Sequence, residues 1–174
     1  VAITAFSLFI VPIASGANEA VRIVDGDTIE INGTTYRLHG IDAPEAGQKC
    51  HKTGGGEWAC GKASVSALED LALGQRVTCD NRGRDDYDRI IAVCRTGNGI
   101  DLNAKMVSSG NAWAFRRFSE DYVTVEEEAR SRRVGVFQAE TQTPWEYRAE
   151  RWDVADVDFH PEVTRVFHRE LTHL

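Results

Sequence analysis

Val21-Arg22-Ile23-Val24-Asp25-Gly26-Asp27-Thr28-Ile29-Glu30-Ile31-Asn32-Gly33-Thr34-Thr35-Tyr36-Arg37-Leu38 alternates apolar and polar residues in three short bursts. Val21 to Val24 and Thr28 to Ile31 have the period of two expected of strands with one buried face. Asn32-Gly33 between them and the next burst is a two-residue hairpin signal, because both residues tolerate positive φ. Thr35 to Leu38 is a third strand, and Ile41 resumes its apolar pattern. Outward from this meander, Pro44 to Ala59 reads as a loop, punctuated by Gly47 and Gly54-Gly55-Gly56. Lys62 to Leu73 reads as a helix with Val65, Leu68, Leu71 and Ala72 on one face and Gly74 as its stop. Val77-Thr78-Cys79 and Arg89 to Cys94 are strands, and Thr96 to Gly99 is a turn. Asp101 is placed to cap a short helix carrying Leu102, Met106 and Val107, closed by Gly110. Ser119 is read as the cap of a last helix with Tyr122, Val125 and Ala129 on one side, ending near Gly135. The pattern is α+β. It fits a five-stranded Greek-key barrel of the OB type with about three helices packed on it.

Three charged runs punctuate these elements. They are Asp25-Gly26-Asp27-Thr28, Arg37 to Glu45 (Arg-Leu-His-Gly-Ile-Asp-Ala-Pro-Glu) and Asp85-Asp86-Tyr87-Asp88-Arg89. They supply hard oxygen ligands, a spare carboxylate and two guanidiniums. Metal-assisted cleavage of a phosphodiester needs those groups: oxygen ligands for a hard cation, a base for water and fixed cations for phosphoryl charge. Asp27 and Asp42 each end a strand-like run, so a barrel can bring both to one rim as metal ligands, and Ca²⁺ suits such a site. Glu45, on a loop stiffened by Pro44, is the candidate general base. Arg37 and Arg89 are the candidate phosphate clamps, since a guanidinium fork donates two parallel hydrogen bonds.

In order and spacing the three runs resemble the staphylococcal nuclease (thermonuclease) family. The likeness spans residues 21–150 and continues into Gly110-Asn111-Ala112-Trp113-Ala114 and Glu126-Glu127-Glu128-Ala129-Arg130. It implies the same OB-type barrel. It also implies Ca²⁺ held by Asp27, Asp42 and the main-chain carbonyl of Ala43, with Asp25 in the outer shell. Tyr87 matches an aromatic that the family sets near the nucleotide, and Phe118 stands where the family often has tyrosine. Two departures add negative charge beside the phosphate site: Asp86, where the best-known member has lysine, and Asp88, where it has glycine. The implied activity is Ca²⁺-dependent hydrolysis of single- and double-stranded DNA and of RNA, with 3′-phosphate products, by a monomer.

The formal net charge of −7 does not match the basic surface usual for a nucleic-acid binder. It keeps two rivals in view, a catalytically silent OB module and an oligosaccharide-binding envelope protein. Arginines nevertheless cluster at 82–89, 116–117 and 130–133. Residues 1–17 read as a truncated secretion signal, with an apolar stretch ending in Ser15-Gly16-Ala17. The stretch is shorter than the roughly 20 residues of a membrane span. This places the mature protein in a secreted or periplasmic setting with no stable membrane insertion.

The four cysteines allow three pairings. Position in the chain favours Cys50–Cys60 across the Gly-rich loop and Cys79–Cys94 across an antiparallel strand pair; a zinc site or free thiols are the alternatives. Residues 151–174 lie beyond the resemblance and read as a tail, helical or disordered. Val163, Val166, Phe167 and Leu171 could share a face there, and His160, His168 and His173 lack tight ligand spacing.

Overall fold

The computed structural model describes residues 20–159. Strands β1 (Val21–Asp25), β2 (Thr28–Ile31) and β3 (Thr34–Leu38) form the expected meander. Ile31 pairs with Thr34 across the turn. Asn32 and Gly33 sit at φ 51° and 81°, as that tight hairpin requires. Strands β4 (Ile41–Asp42), β5 (Cys50–His51) and β6 (Glu57–Trp58) are short. The long loop expected over 44–59 therefore contains a small β5–β6 hairpin, with the glycines at its tip. Helix α1 (Cys60–Ala72) is followed by β7 (Val77–Arg84) and β8 (Ile90–Thr96). Helix α2 (Leu102–Ser108), strand β9 (Trp113–Ala114), helix α3 (Val123–Ser131), a 3₁₀ turn (Gly135–Gln138) and helix α4 (Pro144–Phe159) complete the chain.

The main sheet runs β1-β2-β3-β8-β7, with β3 and β8 parallel and the other pairs antiparallel. Strands β4 and β9 pair beside it, with Asp42 opposite Trp113. The architecture is α+β, as expected of an OB-like domain. Four α-helices are present among the described residues instead of about three. The added one, α4, begins at a capping box: Thr143 Oγ1 accepts from the Glu146 amide, and Glu146 Oε2 accepts from the Thr143 amide at 2.8 Å. Pro144 occupies the first helical position, where a missing N–H costs nothing. The boundary at residue 150 drawn from sequence falls inside this helix.

Ile29, Leu38, Leu68, Ala92, Leu102 and Met106 are among the buried residues of the core between the sheet, α1 and α2. A second cluster joins Cys50, Cys60, Trp113 and Phe137, with Trp145 of α4 against it. Asp101 caps α2 as expected, its carboxylate accepting from the Ala104 amide at 2.9 Å. Ser119 does not cap α3. Its hydroxyl accepts from the Asp121 amide, and the helix starts four residues later at Val123 without a side-chain cap. Both favoured disulfides form, Cys50–Cys60 and Cys79–Cys94. Cys79 and Cys94 are direct partners across β7 and β8. No helix among the described residues is long and apolar enough to cross a membrane. The signal segment 1–17 and the three tail histidines lie outside the described residues.

Candidate active site

The β1–β2 turn, β3 and β4 deliver their polar ends to one place. Arg37 on β3 spans the two candidate metal ligands, with Nη1 2.9 Å from Asp27 Oδ2 and Nη2 2.9 Å from Asp42 Oδ1. Asp42 is fully buried and Asp27 nearly so. Asp27 Oδ2 also accepts from the Ala43 amide at 2.8 Å, which ties the turn to the strand carrying Asp42. Asp25 orders the turn by accepting from the Asp27 amide at 3.1 Å. Gly26 is required here, since a Cβ would strike the Ser64 side chain of α1 and the Ala43 methyl.

Glu45 lies on the loop beyond β4. Its amide donates to Gln48 Oε1 and its carbonyl accepts from the Gln48 amide, at 3.1 and 2.7 Å. Gln48 is itself buried and donates to the Gln142 carbonyl just before α4. A Cβ at Gly61 would overlap the Glu45 carbonyl, so glycine lets α1 approach this loop closely. Arg148 of α4 reaches in from the other side. It donates to Glu45 Oε1 at 2.7 Å and forks onto Asp42, at 3.2 Å to Oδ1 and 2.7 Å to Oδ2.

The β7–β8 turn forms the opposite side. Arg89 Nε is 2.7 Å from Asp85 Oδ2, and the guanidinium lies over the Tyr87 ring. Asp88 adopts φ 62°, and its carboxylate is 2.8 Å from Arg84. The negative charge it adds to this turn thus has a local counter-charge. Tyr87 and Phe118 stand out into solvent, with Arg117 over the Phe118 ring. Phe115 packs edge-on to Phe118 and stacks on Trp145. All the candidate residues from Asp27 to Arg89, with Phe118 and Arg148, line one cleft of about 630 Å³.

Burial, and then the neighbouring Asp27 charge, push the Asp25 carboxyl up to about 6. Partial burial also pushes Asp85 upward, but hydrogen bonds from Arg89 outweigh it and hold the carboxyl below its ordinary value. Burial opposes the charge on Arg148, and its bonds to Asp42 and Glu45 more than restore it, so its pKa is raised. Among the described residues no three His, Cys, Asp or Glu side chains converge as a metal cage. Two buried carboxylates one guanidinium apart, opening on a polar cleft, nevertheless fit a hard cation that keeps several water ligands. Asp27 and Asp42 would hold it, exchanging contacts now made with Arg37.

The model of the family described as staphylococcal nuclease homologue matches residues 35–139. The chain belongs to the staphylococcal nuclease family. It is therefore a nuclease, a hydrolase of phosphodiester bonds. It is 34% identical over 167 residues to micrococcal nuclease of Shigella flexneri, covering 84% of this chain and 90% of that one. It is 33% identical over 135 residues to an uncharacterized endonuclease of Escherichia coli, covering 74% and 82%. It is also 36% identical over 136 residues to the succinoglycan biosynthesis protein ExoI of Rhizobium meliloti (strain 1021), covering 74% and 70%.

For this nuclease, sequence reading collected Asp27, Arg37, Asp42, Ala43, Glu45, Tyr87, Arg89 and Phe118, and the structure brings all of them to one cleft. It missed Arg148, which is 103 residues from Glu45. The available signal was Thr143-Pro144-Trp145-Glu146, a capping box with proline at the first helical position. That signal announces a helix, not where its arginine points. Gln48 was missed too, as a polar residue in a loop gives no sign of being buried.

Proposed function

We propose that the chain is an exported, Ca²⁺-dependent endonuclease that hydrolyses DNA and RNA and leaves 3′-phosphate ends. The observation that carries this is Arg37 bridging Asp27 and Asp42 in a cleft that also holds Glu45 and Arg89. Asp27, Asp42 and the Ala43 carbonyl are the proposed Ca²⁺ ligands. When bound, Ca²⁺ would supply positive charge against the phosphoryl oxygens.

Glu45 accepts a proton from water as the water oxygen bonds to phosphorus. The bond from phosphorus to the 5′-oxygen breaks, which leaves phosphate on the 3′ side. Arg37 and Arg89 donate to the equatorial phosphoryl oxygens, where charge rises in the transition state. Arg89 also donates a hydrogen bond to the departing 5′-oxygen, which takes up a proton from solvent water to leave as the hydroxyl. Tyr87 and Phe118 offer faces on which any base can stack. Recognition through phosphate charge and stacking carries little base information, which fits both single- and double-stranded DNA and RNA. The two disulfides support a secreted or periplasmic setting. We take the active species as a monomer free of the membrane.

The test is cleavage of single-stranded DNA, duplex DNA and RNA by oxidised protein, with Ca²⁺ and with chelator, followed by analysis of the ends. Cleavage only with Ca²⁺ and 3′-phosphate products are expected. Binding without cleavage would move the chain to the silent-module reading.

A further inference from the structure

We infer that Arg148 is a positioning residue that sets the Glu45 carboxylate against Asp42, so that α4 completes the active cleft. The inference rests on the reading of Glu45 as the base. Backbone bonds to Gln48 fix the main chain of Glu45 but leave its side-chain torsions free. Its carboxylate is partly exposed. A base with loose torsions spends little time in line for attack, and small misplacements are costly. Among the described residues, the hydrogen bonds found for the Glu45 carboxylate come from Arg148 alone. Nη1 of that guanidinium is shared between Glu45 Oε1 and Asp42 Oδ1, at 2.7 and 3.2 Å, while Nη2 lies 2.7 Å from Asp42 Oδ2. One rigid planar group thereby fixes the base relative to a buried carboxylate of the metal side. Two carboxylates this close would otherwise repel each other.

The far end of the clamp is fixed as well. The capping box sets where α4 begins. Trp145, three residues before Arg148, stacks on Phe115 with ring centroids 5.4 Å apart and meets Trp113 edge-on. The Gln142 carbonyl accepts from the Gln48 side-chain amide, so the approach to α4 and the Glu45 loop are also joined through that buried side chain. Arg37 and Arg89 hold Asp27, Asp42 and Asp85, and among these three arginines of the cleft Arg148 is the one bonded to Glu45.

The test uses the full oxidised chain and the variants Arg148→Met and Arg148→Lys, each alone and combined with Glu45→Gln. Single-turnover cleavage of a short DNA at saturating Ca²⁺ should slow roughly 10–100-fold in Arg148→Met, the usual loss when a partner orienting a site group is removed. Oligonucleotide affinity should stay within about twofold, because ground-state binding is not removed. Lysine should recover part of the rate. In the Glu45→Gln background, Arg148→Met should cost nothing further, since residues acting as one unit are non-additive. The order parameter of the Glu45 side-chain methylenes, read by NMR relaxation, should fall in Arg148→Met while the Glu45 amide and β8 are unchanged.

Losses that multiply in the double variant, or weakened oligonucleotide binding at an unchanged rate, would overturn the inference in favour of a phosphate contact. An unchanged Glu45 side-chain order parameter would overturn the clamp itself. If Arg148→Met does not fold, Arg148→Lys carries the same readouts. A wild-type protein that cuts nothing would defeat the nuclease reading, and the Glu45 side-chain order parameter would still decide the clamp.

Discussion

The two sides of the cleft are built differently. On the acid side, Asp42 is 0% and Asp27 6% exposed; Asp42 is held by the guanidiniums of Arg37 and Arg148, and Asp27 by Arg37 and the Ala43 amide. On the rim, Tyr87 is 77% and Phe118 67% exposed. The acid side is carried by strand ends, a loop locked against α1 and the first turns of α4. The rim sits on turns. The difference separates two tasks. Groups that meet developing charge must be preorganised before the substrate arrives. Groups that stack on bases can adapt, and they gain from reaching into solvent.

That division can be broken by variants on either side. The largest effect is expected from Asp42→Asn, which removes the charge of a proposed Ca²⁺ ligand but keeps the shape. Ca²⁺-stimulated cleavage should fall to background with the fold retained, checked by a melting curve beside the assay. Next comes Arg89→Lys, with a loss in turnover of roughly 10²–10³-fold, as for removal of one donor to a transition-state oxyanion. Lysine cannot reproduce the planar fork, so rescue should be incomplete.

Asp25 sharpens the comparison through stability. Its folded carboxyl titrates at about 6 against an ordinary 3.8. The folded state therefore binds more protons between those values, and stability should fall as pH rises through that window. A shift of about two units corresponds to roughly 3 kcal/mol. Asp25→Asn keeps the oxygen that accepts from Asp27. In chelator, its unfolding free energy should lose that dependence and exceed wild type at pH 7 by up to this amount. The rim should respond most weakly. Tyr87→Ala or Phe118→Ala should cost about 1–3 kcal/mol in oligonucleotide binding, with the single-turnover rate at saturation little changed.

Much of this was legible in the chain because it is local. Alternation marks β1 to β3, Asn32-Gly33 marks their hairpin, and Asp101 marks the start of α2. The charged runs at strand ends name the residues that meet in the cleft, since a sheet brings strand ends together. What was hidden depends on long-range packing. Strand β7 continues to Arg84, beyond the expected Cys79, because it hangs in solvent and residues 80–84 show no apolar face. The β5–β6 hairpin is too short and glycine-rich to show a period. Ser119 looked like a cap because any serine before an apolar run does. Arg148 is one of many charged residues near the C-terminus, and it is the seating of α4, with Trp145 on Phe115 and Gln142 tied to Gln48, that aims it at Glu45.

Single-turnover cleavage of a short single-stranded DNA at saturating Ca²⁺, wild type against Glu45→Gln, tests the central claim most directly. The account predicts a loss of roughly 10²–10⁴-fold, the usual contribution of a positioned base. It also predicts unchanged oligonucleotide affinity. A wild-type rate in Glu45→Gln, with contaminating nuclease excluded by a mock purification, would contradict it.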